Sequence, residues 1–310
     1  NNTTNGQGGA VLTNSPIDNN STNIFENCTF ENNSASMGGA IFDVNGLKLI
    51  NCKFINNTAN TKGGAYYVFS NKKPILINCV FSYNSSSEGG AIYNKGEMTM
   101  TNCNIVRNTA QNNIGGLYNE NKYSKFYNSV FWNNSSNNDT VQIYGESQLF
   151  NCAVEGGYQG VNIINLSHNN NGSDNNNYPL FNNPDDNDYY ILDGSILINA
   201  GDKTYDNVNE KDIDNNIRIV KGQVDIGAYE NQTGASVIET TENTISIYPN
   251  PTKDHINIIG DTDLTIDIYN SLGQKIYSER CENSTTIRTS NWSPGLYLVR
   301  INNKVHKIVK

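Results

Sequence analysis

Short stretches of alternating apolar and polar residues recur along the first half of the chain, about 25 residues apart. Each repeat has three apolar columns, one in a Gly-Gly-Ala segment and one on either side of an Asn-Cys pair. Such alternation predicts β-strands that bury one face. The columns are Val11, Ile41, Tyr66, Ile92, Leu117 and Ile143, then Phe25, Leu49, Leu76, Met100, Phe126 and Leu149, then Phe30, Phe54, Phe81, Ile105, Phe131 and Val154.

Three short strands per repeat bury their apolar face only when each repeat stacks on its neighbours. The pattern therefore predicts an all-β fold, a right-handed parallel β-helix from about residue 8 to 230, with coils about 4.8 Å apart. The regular repeat covers residues 1–167 and weakens after Gly157. Residues 168–230 are interpreted as the closing coils or cap.

Two asparagine columns accompany the repeat. Asn tolerates the left-handed backbone of sharp turns, and stacked amides can hydrogen-bond along the axis. Turn geometry therefore explains these residues, although glycan contact is an alternative. The columns are Asn27, Asn51, Asn78, Asn102, Asn128 and Asn151, then Asn33, Asn57, Asn84, Asn108 and Asn134.

Five of the six cysteines occupy one column of the repeat. Stacked neighbours have parallel Cβ vectors, which suit a disulfide poorly. We predict reduced, buried thiols, and the absence of accompanying histidines argues against a metal site. These residues are Cys28, Cys52, Cys79, Cys103 and Cys152.

An aromatic row lies beside the first apolar column, and Trp132 points outward by parity with Glu31 and Ser82. An outward row of rings can bind flat sugar faces or other surfaces. The alternatives are a self-stacking structural ladder, or reversed parity that places the tyrosines in the core. The row consists of Phe42, Tyr67, Tyr93, Tyr118 and Tyr144.

Composition narrows the classes of protein further. Asn accounts for 57 of the 310 residues, aromatic residues make up 10%, and the formal net charge is −9. A chain that is rich in Asn and Gly and poor in charge is typical neither of a helical bundle nor of a basic nucleic-acid-binding protein. The sequence contains no stretch of 18 apolar residues, so it does not predict a transmembrane segment. The N-terminus lacks a signal-peptide pattern, which indicates a mature or truncated product.

Residues 168–230 carry 12 acidic and 4 basic residues. Their motifs are Tyr178-Pro179-Leu180-Phe181, Asp188-Tyr189-Tyr190-Ile191-Leu192, Ile198-Asn199-Ala200-Gly201-Asp202, Asp214-Asn215-Asn216-Ile217-Arg218 and Val224-Asp225-Ile226-Gly227-Ala228-Tyr229-Glu230. The order and spacing of these motifs resemble the choice-of-anchor Q region that closes many bacterial surface β-helix proteins. That resemblance implies the last coils and a cap before an anchoring device.

A cluster of loop carboxylates in this acidic segment suits a hard cation, so a structural Ca²⁺ is one hypothesis. The alternative is a solvated acidic loop in which Arg218 pairs with one or two carboxylates. The candidate ligands are Asp202, Asp206, Asp212 and Asp214, with Asn207 and Asn209 between them.

The pattern changes again towards the C-terminus. Residues 231–244 are polar and without period, as in a linker. Seven short alternating stretches follow in 245–310, with turn signals between them, and predict a small seven-stranded antiparallel β-sandwich of immunoglobulin-like type. The strands are expected at 245–248, 255–259, 264–269, 274–279, 285–288, 296–301 and 304–309.

Four motifs stand in order within residues 245–310, namely Tyr248-Pro249-Asn250-Pro251, Leu272-Gly273-Gln274, Gly295-Leu296-Tyr297 and Lys307-Ile308-Val309-Lys310. With these motifs, the segment closely resembles the type A C-terminal sorting domain of type IX secretion cargo from Bacteroidota. The resemblance implies export across the outer membrane, recognition by the translocon and a shuttle protein, and removal by a sortase-like peptidase. It also implies display on the cell surface or release.

Parallel β-helices also host polysaccharide lyases and glycoside hydrolases, which require paired carboxylates or Ca²⁺ with a basic residue. Residues 1–230 contain two arginines, Arg107 and Arg218, and one histidine, His168. No acidic pair recurs on one face of the clear coils. We therefore expect a surface protein whose β-helix contacts glycans or another cell-surface ligand, with a polysaccharide-cleaving enzyme as the alternative.

Overall fold

The chain divides into two compact units, Asn1–Ala235, which contains a parallel β-solenoid, and Ser236–Lys310, which contains antiparallel sheets. The computed structural model describes residues 1–13, 23–69, 72–137, 140–167, 177–205, 211–233, 245–260, 263–302 and 304–310. The strands of the solenoid sheets are two to five residues long, because each coil turns after so short a stretch.

Three sheets of the solenoid correspond to the three apolar columns. Sheet I comprises Val11–Thr13, Ile41–Asp43, Tyr66–Val68, Ile92–Asn94, Leu117–Asn119 and Ile143–Tyr144. Sheet II comprises Ile24–Glu26, Lys48–Ile50, Ile75–Ile77, Thr99–Thr101, Lys125–Tyr127, Gln148–Phe150 and Gly160–Val161. Sheet III comprises Thr29–Glu31, Lys53–Ile55, Val80–Ser82, Asn104–Val106, Val130–Trp132, Ala153–Glu155 and Ile164–Leu166.

Every strand of these sheets pairs in parallel with its equivalent one coil away, for example Ile41 with Tyr66 and Phe54 with Phe81. This confirms the predicted all-β fold with parallel coils. The structure adds a fourth, short sheet that the sequence pattern did not indicate, because its strands lie in the small polar turn. Sheet IV comprises Ser34–Met37, Thr58–Lys62, Ser85–Ser86, Thr109–Ala110 and Ser135–Ser136.

The Gly-Gly-Ala segment has two different requirements for glycine. The first glycine, such as Gly63, adopts a left-handed conformation with φ of +64°. The second glycine packs against the next coil, so a Cβ at Gly64 would lie 2.0 Å from the carbonyl oxygen of Gly90. The motif therefore closes the turn with its first residue and sets the spacing between coils with its second.

The two asparagine columns also have different roles, one in the turns and the other in the stacking of coils. Asn51 and Asn78 have φ of 51° and 50°, as the left-handed turn requires. The other column is a buried ladder, in which the Asn84 Oδ1 accepts hydrogen bonds from the backbone N and the Nδ2 of Asn57, at 2.9 and 3.0 Å. Each ladder amide thus satisfies buried backbone and side-chain donors of the preceding coil.

The apolar columns meet in a continuous core that includes Leu49, Phe54 and Phe81. The six cysteines are free thiols. Four members of the column are buried, whereas Cys28 is half-buried because its coil lies at the end of the cysteine stack. Burial raises the pKa of the Cys152 thiol to about 12, so this side chain packs as a neutral small residue.

The acidic segment lies along the flank of the solenoid instead of forming further coils. Its strands Phe181–Asn183 and Asp188–Ile191 pair antiparallel with each other. A 3₁₀ turn at Pro184–Asp186 connects them, and another lies at Lys203–Tyr205. The expected closing coils are therefore wrong for the described part of 177–233. The outward positions of sheet III are apolar in several coils, and this segment buries them under Tyr189, Leu197 and Ile226. We call it the flank cover.

The C-terminal unit has the seven strands expected from its alternation, in two antiparallel sheets. One sheet has three strands and the other has four, in the order Lys275–Cys281, Leu264–Tyr269, Leu296–Ile301, Lys304–Val309. The inward side chains of both sheets form one apolar core that includes Ile258, Ile266 and Val299. The three-stranded sheet comprises Ser246–Tyr248, His255–Ile259 and Ser284–Arg288.

Candidate functional site

The aromatic row of sheet I is a continuous stack of rings outside the solenoid core. Ring centroids are 4.9 Å apart for Phe42 and Tyr67, 5.3 Å for Tyr67 and Tyr93, 4.6 Å for Tyr93 and Tyr118, and 4.5 Å for Tyr118 and Tyr144. The strands place one ring per coil because their register is exact from coil to coil. The row therefore runs parallel to the solenoid axis.

Exposure changes sharply along this row. Phe42, Tyr67 and Tyr93 are no more than 3% exposed, Tyr118 is half-buried and Tyr144 is 47% exposed. Tyr67 and Tyr93 are therefore not available to a ligand, which corrects their assignment as contact residues. Stacked neighbours and the side chains of Met37 and Val44 cover the buried rings. Only the Tyr118–Tyr144 end of the row can present an aromatic face.

Charged side chains border the buried rings. The Lys62 ammonium lies 4.3 Å from the centroid of Tyr93, is 2.9 Å from its hydroxyl, and pairs with Glu88 at 3.3 Å. The Tyr93 hydroxyl donates to the Glu120 carboxylate. Burial, and then this carboxylate, raise the pKa of Tyr93, so the hydroxyl remains a neutral donor.

An open cleft of about 860 Å³ lies at the turn between sheets I and II that follows Tyr144 in the chain. Its walls include Tyr123, Glu146 and Tyr158. The Tyr123 ring is 58% exposed, and the Tyr158 hydroxyl donates to the Gly145 carbonyl at 2.5 Å. The cleft thus combines an accessible aromatic ring with polar groups, as carbohydrate sites require.

Trp132 points away from the solenoid core, as its parity predicts, but it is 2% exposed. The flank cover buries it, with Phe181 packed edge-on at 5.7 Å, and its indole donates to the Ser167 carbonyl at 3.2 Å. Trp132 is therefore a packing residue and is not available as a contact for a ligand. Parity along the strand predicts only that Trp132 points outward. It cannot reveal that the flank cover, a segment without the repeat, buries this side chain.

The carboxylates assigned to a calcium hypothesis have other partners. Asp212 accepts hydrogen bonds from the backbone N–H groups of Asp214, Asn216 and Glu230. Asp214 pairs with Lys53 at 3.3 Å, and Asp202 accepts from the Thr204 N–H. Asp206, together with Asn207 and Asn209, lies outside the described residues. Within the described ranges, no group of three or more acidic, Cys or His side chains has the arrangement of a metal site.

A buried charge network fastens the flank cover. Arg218 is fully buried, donates to the Asn78 side chain at 2.6 Å, and lies 3.6 Å from the Glu230 carboxylate. Glu230 in turn accepts from the Asp225 N–H at 2.9 Å. Desolvation and then the neighbouring Asp225 raise the pKa of Glu230 to about 8, against the opposite effect of Arg218. Among the described residues, the carboxylate within pairing distance of Arg218 is thus that of Glu230 in the interior, which is not one of the loop carboxylates expected to pair with it.

This network predicts a pH-dependent stability. The unfolded Glu230 carboxyl releases its proton near its ordinary pKa of 4.5, whereas the folded one holds it up to about pH 8. The stabilising contribution is present below 4.5 and is lost as pH rises through 8. The free energy of unfolding is therefore expected to fall between pH 5 and 8, by at most about 1.4 kcal/mol per pH unit.

Denaturant unfolding of wild type and Glu230→Gln at pH 5.5 and 7.5 measures this effect. The amide mimics the protonated carboxyl, so the variant should lose most of the slope with pH. Glu97→Gln is the control, because Glu97 pairs with Lys73 on the surface at 3.0 Å. An identical slope in wild type and Glu230→Gln would show that this carboxyl does not titrate in that range.

In the C-terminal unit, the Pro-Asn-Pro segment binds the last strand. The Asn250 amide donates to the Lys307 carbonyl at 2.9 Å and accepts from the Val309 N–H at 3.0 Å, and the Thr252 N–H donates to the Val309 carbonyl at 2.8 Å. The outer edge of the last strand is therefore occupied at Lys307 and Val309, where Asn250 and Thr252 bind the outward backbone groups.

The other sequence motifs of this unit lie at the same end of the four-stranded sheet. Tyr269 pairs with Leu298, and Leu298 pairs with Lys307 on its other side. The turn after Tyr269 therefore lies at the same end of the sheet as the start of Leu296–Ile301 and the end of Lys304–Val309. Gly295 and Lys310 exchange backbone hydrogen bonds of 3.1 and 2.9 Å. The motifs brought together in this way are Tyr248-Pro249-Asn250-Pro251, Leu272-Gly273-Gln274, Gly295-Leu296-Tyr297 and Lys307-Ile308-Val309-Lys310.

Sequence reasoning missed the cleft and the flank cover. The cleft depends on turns of successive coils, around Tyr123, Glu146 and Tyr158, whose juxtaposition follows from the stacking. The flank cover had a signal, because outward positions of sheet III such as Val80, Val106 and Val130 are apolar. A solvent-facing column of a solenoid is not expected to be apolar unless something covers it.

Comparison with known protein families gives two matches. Residues 1–131 match the right-handed β-helix region, and residues 246–310 match the secretion system C-terminal sorting domain. Neither match names an enzymatic family. The comparison with curated proteins and the comparison with solved structures gave no match.

The protein is thus a secreted β-solenoid protein with a C-terminal sorting domain. More particularly, it is a cargo of the type IX secretion system, exported to the cell surface or released, and its sorting domain interacts with that machinery. None of the helical segments in the described part of the chain has the length and apolar composition of a membrane span.

Proposed function

We propose that the solenoid of this cargo is an adhesin module that contacts glycans through the exposed end of the aromatic row. One observation carries the proposal: the stacked rings, buried from Phe42 to Tyr93, end at Tyr144, which is 47% exposed and directly precedes Gly145 in the wall of the 860 Å³ cleft. A sugar ring stacks its C–H face on such an aromatic surface, and the polar groups of the cleft bind its hydroxyls.

The buried part of the row supports this role mechanically. Tyr118 stacks on Tyr93 at 4.6 Å with an angle of 5° between the rings, and Tyr144 stacks on Tyr118. The exposed ring is therefore held by its neighbours before any ligand arrives, which reduces the entropy lost on binding. Tyr118 and Tyr144 form the platform, and Tyr123 and Tyr158 form the adjoining wall.

The proposed delivery route follows the sorting domain. Residues 245–310 direct export across the outer membrane, where the translocon and a shuttle protein recognise them and a sortase-like peptidase removes them. Cleavage is placed within 231–244, which is polar and without period. The mature protein then ends in this interval and displays the solenoid on the surface or enters the medium.

A glycan array probed with the full chain tests the adhesin proposal. Tyr144→Ala is expected to weaken binding about tenfold, since an aromatic stacking contact contributes up to about 1.5 kcal/mol. Tyr248→Ala is the matched control, because Tyr248 is 48% exposed but lies in the other unit. Absence of glycan binding by wild type, or equal binding by Tyr144→Ala, contradicts the proposal.

The same preparation separates binding from cleavage. Bound glycans are incubated with the protein and assayed for new reducing ends and for unsaturated uronides. The proposed adhesin leaves the glycan intact, so neither signal should rise above that of the glycan alone. A rise in either signal identifies a glycoside hydrolase or a lyase instead.

A further inference from the structure

The outer face of the four-stranded sheet in the C-terminal unit is unusually apolar. Alternation along its strands, with a bulge between Ile268 and Tyr269, determines which side chains point away from the core. Five of the outward apolar side chains are between 38% and 60% exposed, and the sixth, Tyr269, is half-buried. These side chains are Tyr269, Ile276, Leu296, Leu298, Val305 and Val309.

The other sheet of the same unit provides an internal comparison. Its outward positions are mostly polar, and its exposed large apolar side chains are Tyr248 and Ile259. Both sheets bury their inner faces in one core, so folding of the unit does not require an apolar outer face on either. The asymmetry between two outer faces of one small domain marks the four-stranded face as an interaction surface.

The charge on this face indicates the chemistry of its partner. Lys275 and Arg300 both pair with Asp267, at 3.1 and 2.5 Å. Lys307 and Arg280 are exposed on the same side of the sheet. The outward positions of this sheet thus include four cations and one carboxylate, so the charge around the apolar patch is positive. A surface of this kind favours a partner that is apolar in its centre and acidic at its rim.

We propose that this face docks the sorting domain onto a protein component of the export machinery, through an apolar surface edged with carboxylates. The inference rests on the proposed function, because it assigns the recognition step of export to particular side chains. Recognition is thereby placed on the face of the sheet, and the last strand contributes through Val305, Lys307 and Val309. Asn250 then acts as a positioning residue that holds this strand in the sheet.

Export in a type IX-competent bacterium tests the proposal. The double variant Leu296→Ser and Leu298→Ser should accumulate inside the cell as the chain lacking residues 246–310 does. Ile259→Ser is the matched control, because Ile259 is 41% exposed on the opposite sheet, and it should be exported like wild type. Thermal unfolding of the purified variants establishes that the sorting domain remains folded.

Charge reversal provides a second variant that does not alter the apolar packing. Lys307→Glu should reduce export, whereas Arg288→Glu, an exposed cation of the other sheet, should not. Normal export of both the double serine variant and Lys307→Glu overturns the proposal. If the chain without residues 246–310 is itself exported normally, the proposed delivery route has failed instead.

The identity of the occupant is tested by a photo-crosslinking phenylalanine analogue introduced in place of Leu298. A crosslink to an export component, absent when the analogue replaces Ile259, supports the proposal. A crosslink only to a second copy of the chain or to the solenoid of the same chain overturns it, because the face would then serve assembly or storage.

Discussion

Removal of residues 302–310 is expected to leave almost no protein on the cell surface or in the medium, although the solenoid still folds. Lys304–Val309 pairs along its whole length with Leu296–Ile301 and contributes the fully buried Ile308 to the core of the sorting domain. Its loss exposes that core and removes the backbone groups that Asn250 and Gly295 bind. The solenoid has its own core, in which no residue of this strand takes part.

Cell fractionation and an antibody against the solenoid measure this outcome. Asn250→Ala should reduce export partially, because it frees the Lys307 carbonyl and the Val309 N–H but leaves the strand pairing intact. Asn257→Ala, at a half-buried position of the three-stranded sheet, is its matched control. Normal delivery of the truncated chain, or a mature form that retains Lys310, would show that the tail is not a cleaved export signal.

Gly64→Ala is expected to lower the free energy of unfolding of the solenoid by about 4 kcal/mol or more, at the upper end for single substitutions. A Cβ there would lie 2.0 Å from the Gly90 carbonyl oxygen and 2.6 Å from that of Ser85, both backbone atoms. The coils cannot separate to relieve this contact without breaking hydrogen bonds in four sheets. The variant should unfold at much lower denaturant concentration or fail to fold.

Gly156→Ala separates this steric effect from the effect of backbone conformation. Gly156 has φ of +75° but open space around its Cβ position, so alanine there costs about 1–2 kcal/mol for the left-handed conformation alone. Denaturant unfolding followed by circular dichroism compares the two variants. Equal losses of stability would mean that close packing between coils does not explain the second glycine of the motif.

The repeat was predictable because each coil obeys the same local rules as its neighbours. The column containing Asn51 and Asn78 was expected to be left-handed, and the structure confirms it. The seven strands of the sorting domain were likewise predictable, since turn residues bound each of them and apolar and polar residues alternate along most of their length. In both parts, the information lies within a few residues of each strand.

The remaining features depend on contacts between distant segments. Parity correctly places Tyr67 and Tyr93 outside the core, but the fraction of each ring that solvent reaches depends on neighbouring side chains. The burial of Trp132 depends on Phe181, which belongs to a segment without periodicity. Similarly, the pairing of Arg218 with Asn78 joins residues 140 positions apart in sequence. Local pattern carries no signal for such pairs.

The flank cover also acts as a ruler for the number of coils. It contacts successive coils at different points, with Asp214 on Lys53 at 3.3 Å, Arg218 on Asn78 at 2.6 Å and Ala228 on Asn104 at 3.0 Å. Gain or loss of a whole coil would leave sheets I to III self-consistent. If the coil were gained or lost between two of these contacts, however, the solenoid residue of one contact would move about 4.8 Å away from its partner in the flank cover. The number of coils could otherwise change by duplication of a repeat, and the flank cover thereby fixes it.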